Sequence, residues 1–115
     1  MKPKKISSKE TNLVDLGAKK IYKYPLGEKL LSVARMVVDG RHPESGYLLE
    51  KECNFAMYMT RGKGRYFVGD EIFDVGVGDV VFVPAGNKFA SEGDFEYITF
   101  DTPGYYPEQS EEVKE

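Results

Sequence analysis

Apolar and polar residues alternate along most of this chain in short runs, and glycine, aspartate, asparagine or proline separates one run from the next. The runs are rich in Val, Ile, Phe and Tyr. That combination predicts many short β-strands at close spacing, as in a barrel or sandwich. The pattern predicts strands over Lys19–Tyr24, Lys29–Val38, Tyr47–Glu50, Phe55–Thr60, Arg65–Val68, Glu71–Val75, Asp79–Val83 and Phe95–Asp101. Turns are expected at Asp39-Gly40, at Arg61-Gly62-Lys63-Gly64 and at Gly69-Asp70. Only the stretch Glu28–Val38 fits a helical period as well as a strand period. Its β-branched Val33, Val37 and Val38, with Gly40 following, favour a strand. Pro107–Glu115 has room for one loose helical turn at most.

Composition narrows the class. At 115 residues with 41% hydrophobic content and 13% aromatics, the chain suits one domain with one core. The longest apolar runs, such as Val80–Val83, are far too short to span a membrane as a helix. Met1–Glu10 has lysines but no apolar stretch behind them, so no secretory signal is expected. The single cysteine, Cys53, allows no internal disulfide and no cysteine-based zinc knuckle. A cytoplasmic location is the expectation. The net charge of −3 argues against a nucleic-acid footprint, and one histidine, His42, excludes any site that needs two. Both ends are charged: seven lysines fall in residues 1–23, and Glu108, Glu111, Glu112 and Glu115 crowd the other end. The expected organisation is a flexible arm over 1–10, one β-domain over 11–107 and a frayed acidic tail over 108–115.

One segment has the form glycine, five residues, proline, any residue, glycine: Gly78-Asp79-Val80-Val81-Phe82-Val83-Pro84-Ala85-Gly86. Gly78 permits a tight turn, Asp79 can bond to the backbone there, Val80–Val83 make a buried strand, and Pro84 ends its ladder. This segment resembles the second motif of the cupin superfamily. Thr60–Gly64 with Val68-Gly69-Asp70-Glu71 resembles the end of the first cupin motif and the hairpin after it. The 15 residues between Gly62 and Gly78 suit a compact single-domain cupin. The resemblance covers about residues 40–101 and implies an all-β jelly-roll barrel, two antiparallel sheets around a central cavity.

Cupin chemistry depends on a metal held by two histidines one residue apart, a glutamate, and a third histidine after the second motif. Carried onto this chain, the histidine pair falls at Leu48 and Glu50, the glutamate at Phe55 and the third histidine at Phe89. A shift by one residue gives Leu49 and Lys51, which is no better. A divalent ion needs several converging N or O donors, and here one carboxylate stands among apolar side chains. No metal and no other cofactor is expected. Strand alternation adds Met57 and Met59 to the face of Phe55, so the expected cavity is narrow and apolar.

The remaining polar candidates are few. Glu50, if it faces that cavity, is a carboxylate with a raised pKa and a candidate base or ligand anchor; Arg35, Arg41 and Tyr97 are its candidate partners. A one-residue slip would leave Glu50 outside as a solvated charge. His42, in the loop Gly40–Gly46, is either a general acid/base near the barrel mouth or an exposed loop histidine. Arg41 and Glu44 either bracket a small ligand or form a surface pair. Cys53 has no histidine to activate it. The candidate ligand-binding set is Arg35, Arg41, Glu50, Phe55, Met57, Phe89 and Tyr97, with Glu50 and His42 the catalytic candidates.

These residues predict a small metal-free barrel that binds a small organic molecule, of sugar or carboxylate type. A metal-independent isomerase or related enzyme using Glu50 or His42 is the second reading. A non-catalytic dimeric module with a filled barrel is the third. No nucleic-acid or membrane partner is expected. A homodimer is expected, with contacts at Ile21–Tyr24 and Tyr105-Tyr106. The cavity separates the readings, because Phe55, Met57, Met59 and Phe89 would pack a closed barrel.

Overall fold

A computed structural model describes residues 2–114. Nine strands join into one continuous curled sheet. They are β1 Asn12–Asp15, β2 Lys19–Tyr24, β3 Ser32–His42, β4 Tyr47–Glu50, β5 Asn54–Val68, β6 Glu71–Gly76, β7 Val80–Val83, β8 Lys88–Thr102 and β9 Ser110–Val113. No α-helix occurs among the described residues, only two 3-10 turns at Ser8–Glu10 and Pro107–Gln109. None of the described helical segments is long and apolar enough to cross a membrane.

Three long strands make the frame. β8 pairs along its length with β5, and on its other edge with β3 and then β4. All of these pairings are antiparallel. β1 and β2 extend the sheet beyond β3, β9 covers β4, and β6 and β7 pair with β5. Alternate residues of each strand face the interior. On β5 those are Phe55, Met57 and Met59, and on β8 Phe89, Phe95 and Tyr97, all nearly or fully buried. With Val38, Tyr66, Val75, Val81 and Val83 they form the core.

Two of the expected turns are not turns. Gly40 lies within β3 and pairs with Gly93 of β8, which also pairs with Gly64 of β5. Three glycines thus lie side by side across three strands, where side chains would crowd a bending sheet. The Arg61–Gly64 segment likewise continues β5 past a bulge between Met59 and Arg61. Gly62 has φ 75°, and a Cβ there would collide with the Asp94 carbonyl. Glycine marks bends inside long strands here: the expected pair Phe55–Thr60 and Arg65–Val68 is the single 15-residue β5, and the expected Phe95–Asp101 is the second half of the 15-residue β8.

The expected turn at Gly78 is present. Gly78 has φ 93°, and Asp79 Oδ2 accepts the Gly76 N–H at 2.8 Å, closing the turn that feeds β7.

The ends differ from the sequence expectation. The supposed acidic tail is β9, whose register with β4 pairs Glu50 with Ser110 and Leu48 with Glu112. Gln109, at its start, is 2% exposed. At the other end, Lys4 Nζ donates to the Leu26 carbonyl at 2.6 Å. The Ile21–Tyr24 edge expected to meet a second copy is paired on both sides, by β1 and β3. Tyr105 lies against its own barrel: its N–H donates to Ser32 Oγ at 3.0 Å, and Lys23 Nζ stands 5.2 Å from its ring centroid.

Candidate active site

The barrel encloses an open cavity of about 520 Å³. Its apolar wall includes Met36, Leu48, Phe55, Met57 and Phe89; its polar side chains include Lys19, His42, Glu50, Tyr66, Tyr97, Thr99 and Asp101. The expected narrow, apolar interior is therefore corrected. Alternation on β8 continues from Tyr97 to Thr99 and Asp101, so the inward face changes from aromatic to polar toward one end.

Glu50 faces the cavity together with Leu48, and the one-residue slip does not occur. Backbone bonds hold it in place. Its carbonyl accepts the Gly86 N–H at 2.9 Å, and the following Lys51 N–H donates to the Gln109 carbonyl at 2.9 Å. The Pro84–Gly86 turn is itself tied down, because Asn54 Oδ1 accepts the Ala85 N–H at 2.9 Å. The Gly78–Gly86 motif thus sets the position of the carboxylate from behind.

Gln109 holds the loop after Glu50. Its Oε1 accepts the N–H groups of Glu52 and Cys53 at 3.1 and 3.2 Å, and its Nε2 donates to Glu50 Oε1 at 3.4 Å. Gln109→Ala would orphan the buried Cys53 N–H and loosen the loop. It should cost about 1–3 kcal/mol in urea denaturation, and a loss too small to measure would show that water replaces the amide.

The partners of Glu50 are not the expected arginines. Arg35 faces outward with the odd-numbered residues of β3, bonded to Glu96 at 3.1 Å and stacked 4.1 Å over Tyr22. Arg41, on the same face, donates to the Pro43 and Gly46 carbonyls at 2.6 and 3.1 Å and clamps that loop. Neither lines the cavity. The partner is instead Asp101, 5% exposed, whose Oδ1 accepts the Thr99 hydroxyl at 3.1 Å. One carboxylate oxygen from each acid and Cys53 Sγ all lie within 4.8 Å of one another.

Two carboxylates this close, removed from water, cannot both ionise freely. Burial, then the charge of Asp101, pushes Glu50 up to about 8. Burial also raises Asp101, while the Thr99 hydroxyl favours its ionised form. At neutral pH the pair therefore holds one proton, mainly on Glu50. The Cys53 thiol is pushed up to about 12 by burial and by these neighbouring carboxylates, so it stays protonated.

Among the other candidates, Phe55, Met57, Phe89 and Tyr97 all line the cavity. Phe55 and Phe89 meet edge to face at 4.8 Å, and the Tyr66 and Tyr97 hydroxyls lie 3.4 Å apart. His42 is the last residue of β3, half-buried and facing the cavity, not an exposed loop residue. Burial, then Lys19, lowers it to about 4, so it is a neutral imidazole at pH 7 and does not titrate there.

No protein-family model matches this chain, and no curated protein matches it. Solved structures do. Streptomyces Pac13 with uridine superposes at a TM-score of 0.90 and 18% identity, over 99% of this chain and 93% of Pac13. Pac13 is described as a unique nucleoside dehydratase. An RmlC-like cupin from Shewanella frigidimarina superposes at 0.72 and 20% identity, over 88% of this chain and 92% of that one. The chain has the cupin-type β-barrel fold. Oxalate decarboxylase from Bacillus subtilis matches at 0.77 and 19% identity, over 98% of this chain but 33% of that longer protein.

The cupin metal does not fit these residues. At the positions where the superfamily places its ligands, Leu48 and Phe89 are paired across β4 and β8, and Phe55 packs on Phe89. Glu50 is the one donor among them, and its proton and that of Cys53 oppose ligation at neutral pH. Elemental analysis of protein purified without chelator should find well under one equivalent of Mn, Fe, Ni or Zn. Stoichiometric metal surviving dialysis would overturn this and locate it at Glu50, Cys53 and Asp101.

Proposed function

We propose that the barrel binds a small hydroxylated organic molecule and that Glu50 and Asp101 act on it as a general acid/base couple, in an elimination or isomerisation. The observation that carries this reading is the convergence of the two carboxylates in an open cavity. A filled barrel serving only as an interaction module is disfavoured by the cavity itself.

A couple of this kind suits a β-elimination. The ionised carboxylate takes a proton from carbon, the C–O bond to a neighbouring hydroxyl breaks, and the protonated carboxyl gives its proton to the departing oxygen. The products are an alkene and water, and the couple ends with the same single proton on the other acid. An isomerisation needs the same two roles, with the second proton delivered to carbon. Pac13, a nucleoside dehydratase by description and solved with uridine, has this fold; likeness of fold alone raises the prior and does not choose the substrate. His42 and the Tyr66–Tyr97 hydroxyl pair add neutral hydrogen-bonding groups for orientation.

The test is a thermal-shift screen of sugars, sugar acids and nucleosides, followed by proton NMR of each hit with the protein in D2O. Exchange of a carbon-bound proton or formation of an alkene, lost in Glu50→Gln and Asp101→Asn, is the expected result. Hits that bind both variants unchanged and show no exchange would reduce the protein to a binder.

A further inference from the structure

The acid/base reading leaves two lysines of the cavity, Lys19 and Lys23, without a role, and Lys19 is the buried one. Lys19 lies on the inward face of β2 with Ile21 and Lys23, opposite Val38 of β3. It is 5% exposed, a burial seen in lysines chiefly when they are paired. Yet among the described residues its Nζ makes no hydrogen bond, and no carboxylate lies within 4.0 Å. Its nearest aromatic neighbour is the Tyr97 ring, 5.8 Å from Nζ to the centroid. Its charge favours the ionised forms of Glu50 and Asp101.

Among the described residues no buried side-chain N or O atom lacks a partner, so the Nζ, with no hydrogen bond from the chain, opens to the cavity; a methionine or leucine at this position would line the same wall without placing a charge there. The missing acceptor has its place in the open cavity. The chemistry favours a carboxylate over the alternatives. A neutral hydroxyl or carbonyl would find donors enough in Tyr66, Tyr97 and His42. A phosphate dianion would want several converging cations or a bidentate guanidinium; no arginine lines the cavity, and the second lysine, Lys23, stands over the Tyr105 ring at 5.2 Å from its centroid. The negative couple repels an anion from its own end, so an acidic ligand can enter in one orientation only.

We propose that Lys19 anchors a carboxylate of the ligand, and that the barrel takes small hydroxy acids of the sugar-acid class. The carboxylate lies on Lys19 and a hydroxyl-bearing carbon faces Glu50 and Asp101. The second half rests on the acid/base reading above; the first half does not. A volume of about 520 Å³ is ample for a six-carbon acid.

The test is calorimetric titration of the full chain with matched pairs: galacturonate against galactose, and gluconate against sorbitol. Wild type should bind an acid of the panel saturably, and its neutral mate about 10- to 100-fold more weakly. Lys19→Met should abolish that preference, and Lys19→Arg should retain part of it. Equal binding of acid and neutral mate, acid binding unchanged in Lys19→Met, or no saturable binding of any acid overturns the proposal. If Lys19→Met does not fold, loss of the preference in Lys19→Gln decides in the same way. The acid/base reading fails separately, when acids bind through Lys19 and neither Glu50→Gln nor Asp101→Asn affects exchange in D2O.

Discussion

Phe89→Ala should lower the stability of this barrel by about 3–5 kcal/mol. Phe89 is 4% exposed and stands where the cupin resemblance would put a histidine ligand. Its ring meets Phe55 edge to face at 4.8 Å and Tyr66 in a stacked contact at 6.3 Å. Its backbone is paired on both sides, to Leu48 and to Val68. The strands therefore cannot close over the lost ring, and the new space joins a cavity that is already open. Urea denaturation at pH 7 measures the loss. A value below about 1 kcal/mol would mean that the phenyl ring is peripheral, and that the ligand position is vacated by something other than packing. The same substitution widens the cavity beside Leu48 and Glu50, so ligand affinity should fall with stability.

The apolar half of this site was legible because period-two alternation is a local property. Once Phe55 is inward, Met57 and Met59 follow, and the spacing from Gly86 brings Phe89 to the same interior. Glu50 came from the ligand positions that the cupin resemblance implies, with inward and outward registers both open, and the β4–β9 pairing settles it inward. The polar half was written in the same code but at the ends of the pattern. In Lys19–Tyr24, Ile21 shares its face with Lys19, and in Phe95–Asp101 the aromatic face of Phe95 and Tyr97 continues to Thr99 and Asp101. A lysine among lysines reads as solvated, and an aspartate two residues before Pro103 reads as the end of a strand. Both readings follow residue preference where strand parity was the better guide.

Other features were not legible locally. Gln109 clamps Glu52 and Cys53 across more than fifty residues, and its surroundings are acidic enough to suggest a loose end. Only the β4–β9 pairing makes it structural. Arg35 and Arg41 were attractive partners for Glu50 by charge alone, and the parity of β3 turns both outward. The glycines failed in the opposite direction. Gly40, Gly64 and Gly93 punctuate the sequence like turns, but they face one another across three strands and let the sheet curl.

Glu50→Gln should raise stability at pH 8 and leave it nearly unchanged at pH 5, while removing activity. Folded Glu50 keeps its proton up to about 8, against 4.5 for the unperturbed group. A pKa raised by folding means that the folded state binds the proton more tightly than the unfolded chain does. The stability this contributes is complete below about 4.5 and is lost as pH rises through about 8. Across that window the wild type should weaken by up to about 1.4 kcal/mol per pH unit, for a total on the order of a few kcal/mol. Asp101, also raised, contributes in the same direction and remains in the variant. Glutamine keeps the shape of the protonated acid, and its amide N–H can donate to Asp101 as the carboxyl proton does. The variant should therefore lose much less stability than the wild type between pH 5 and pH 8. Urea denaturation of both proteins at the two pH values checks this directly. An exposed Glu50 would leave the two curves superimposed. A Glu50 whose main partner is the Lys19 ammonium would give the reverse sign, because Glu50→Gln would strip a buried cation of its counter-charge and destabilise the protein most at pH 8. Stabilisation at pH 8 together with lost proton transfer is the signature of a carboxyl kept protonated for chemistry.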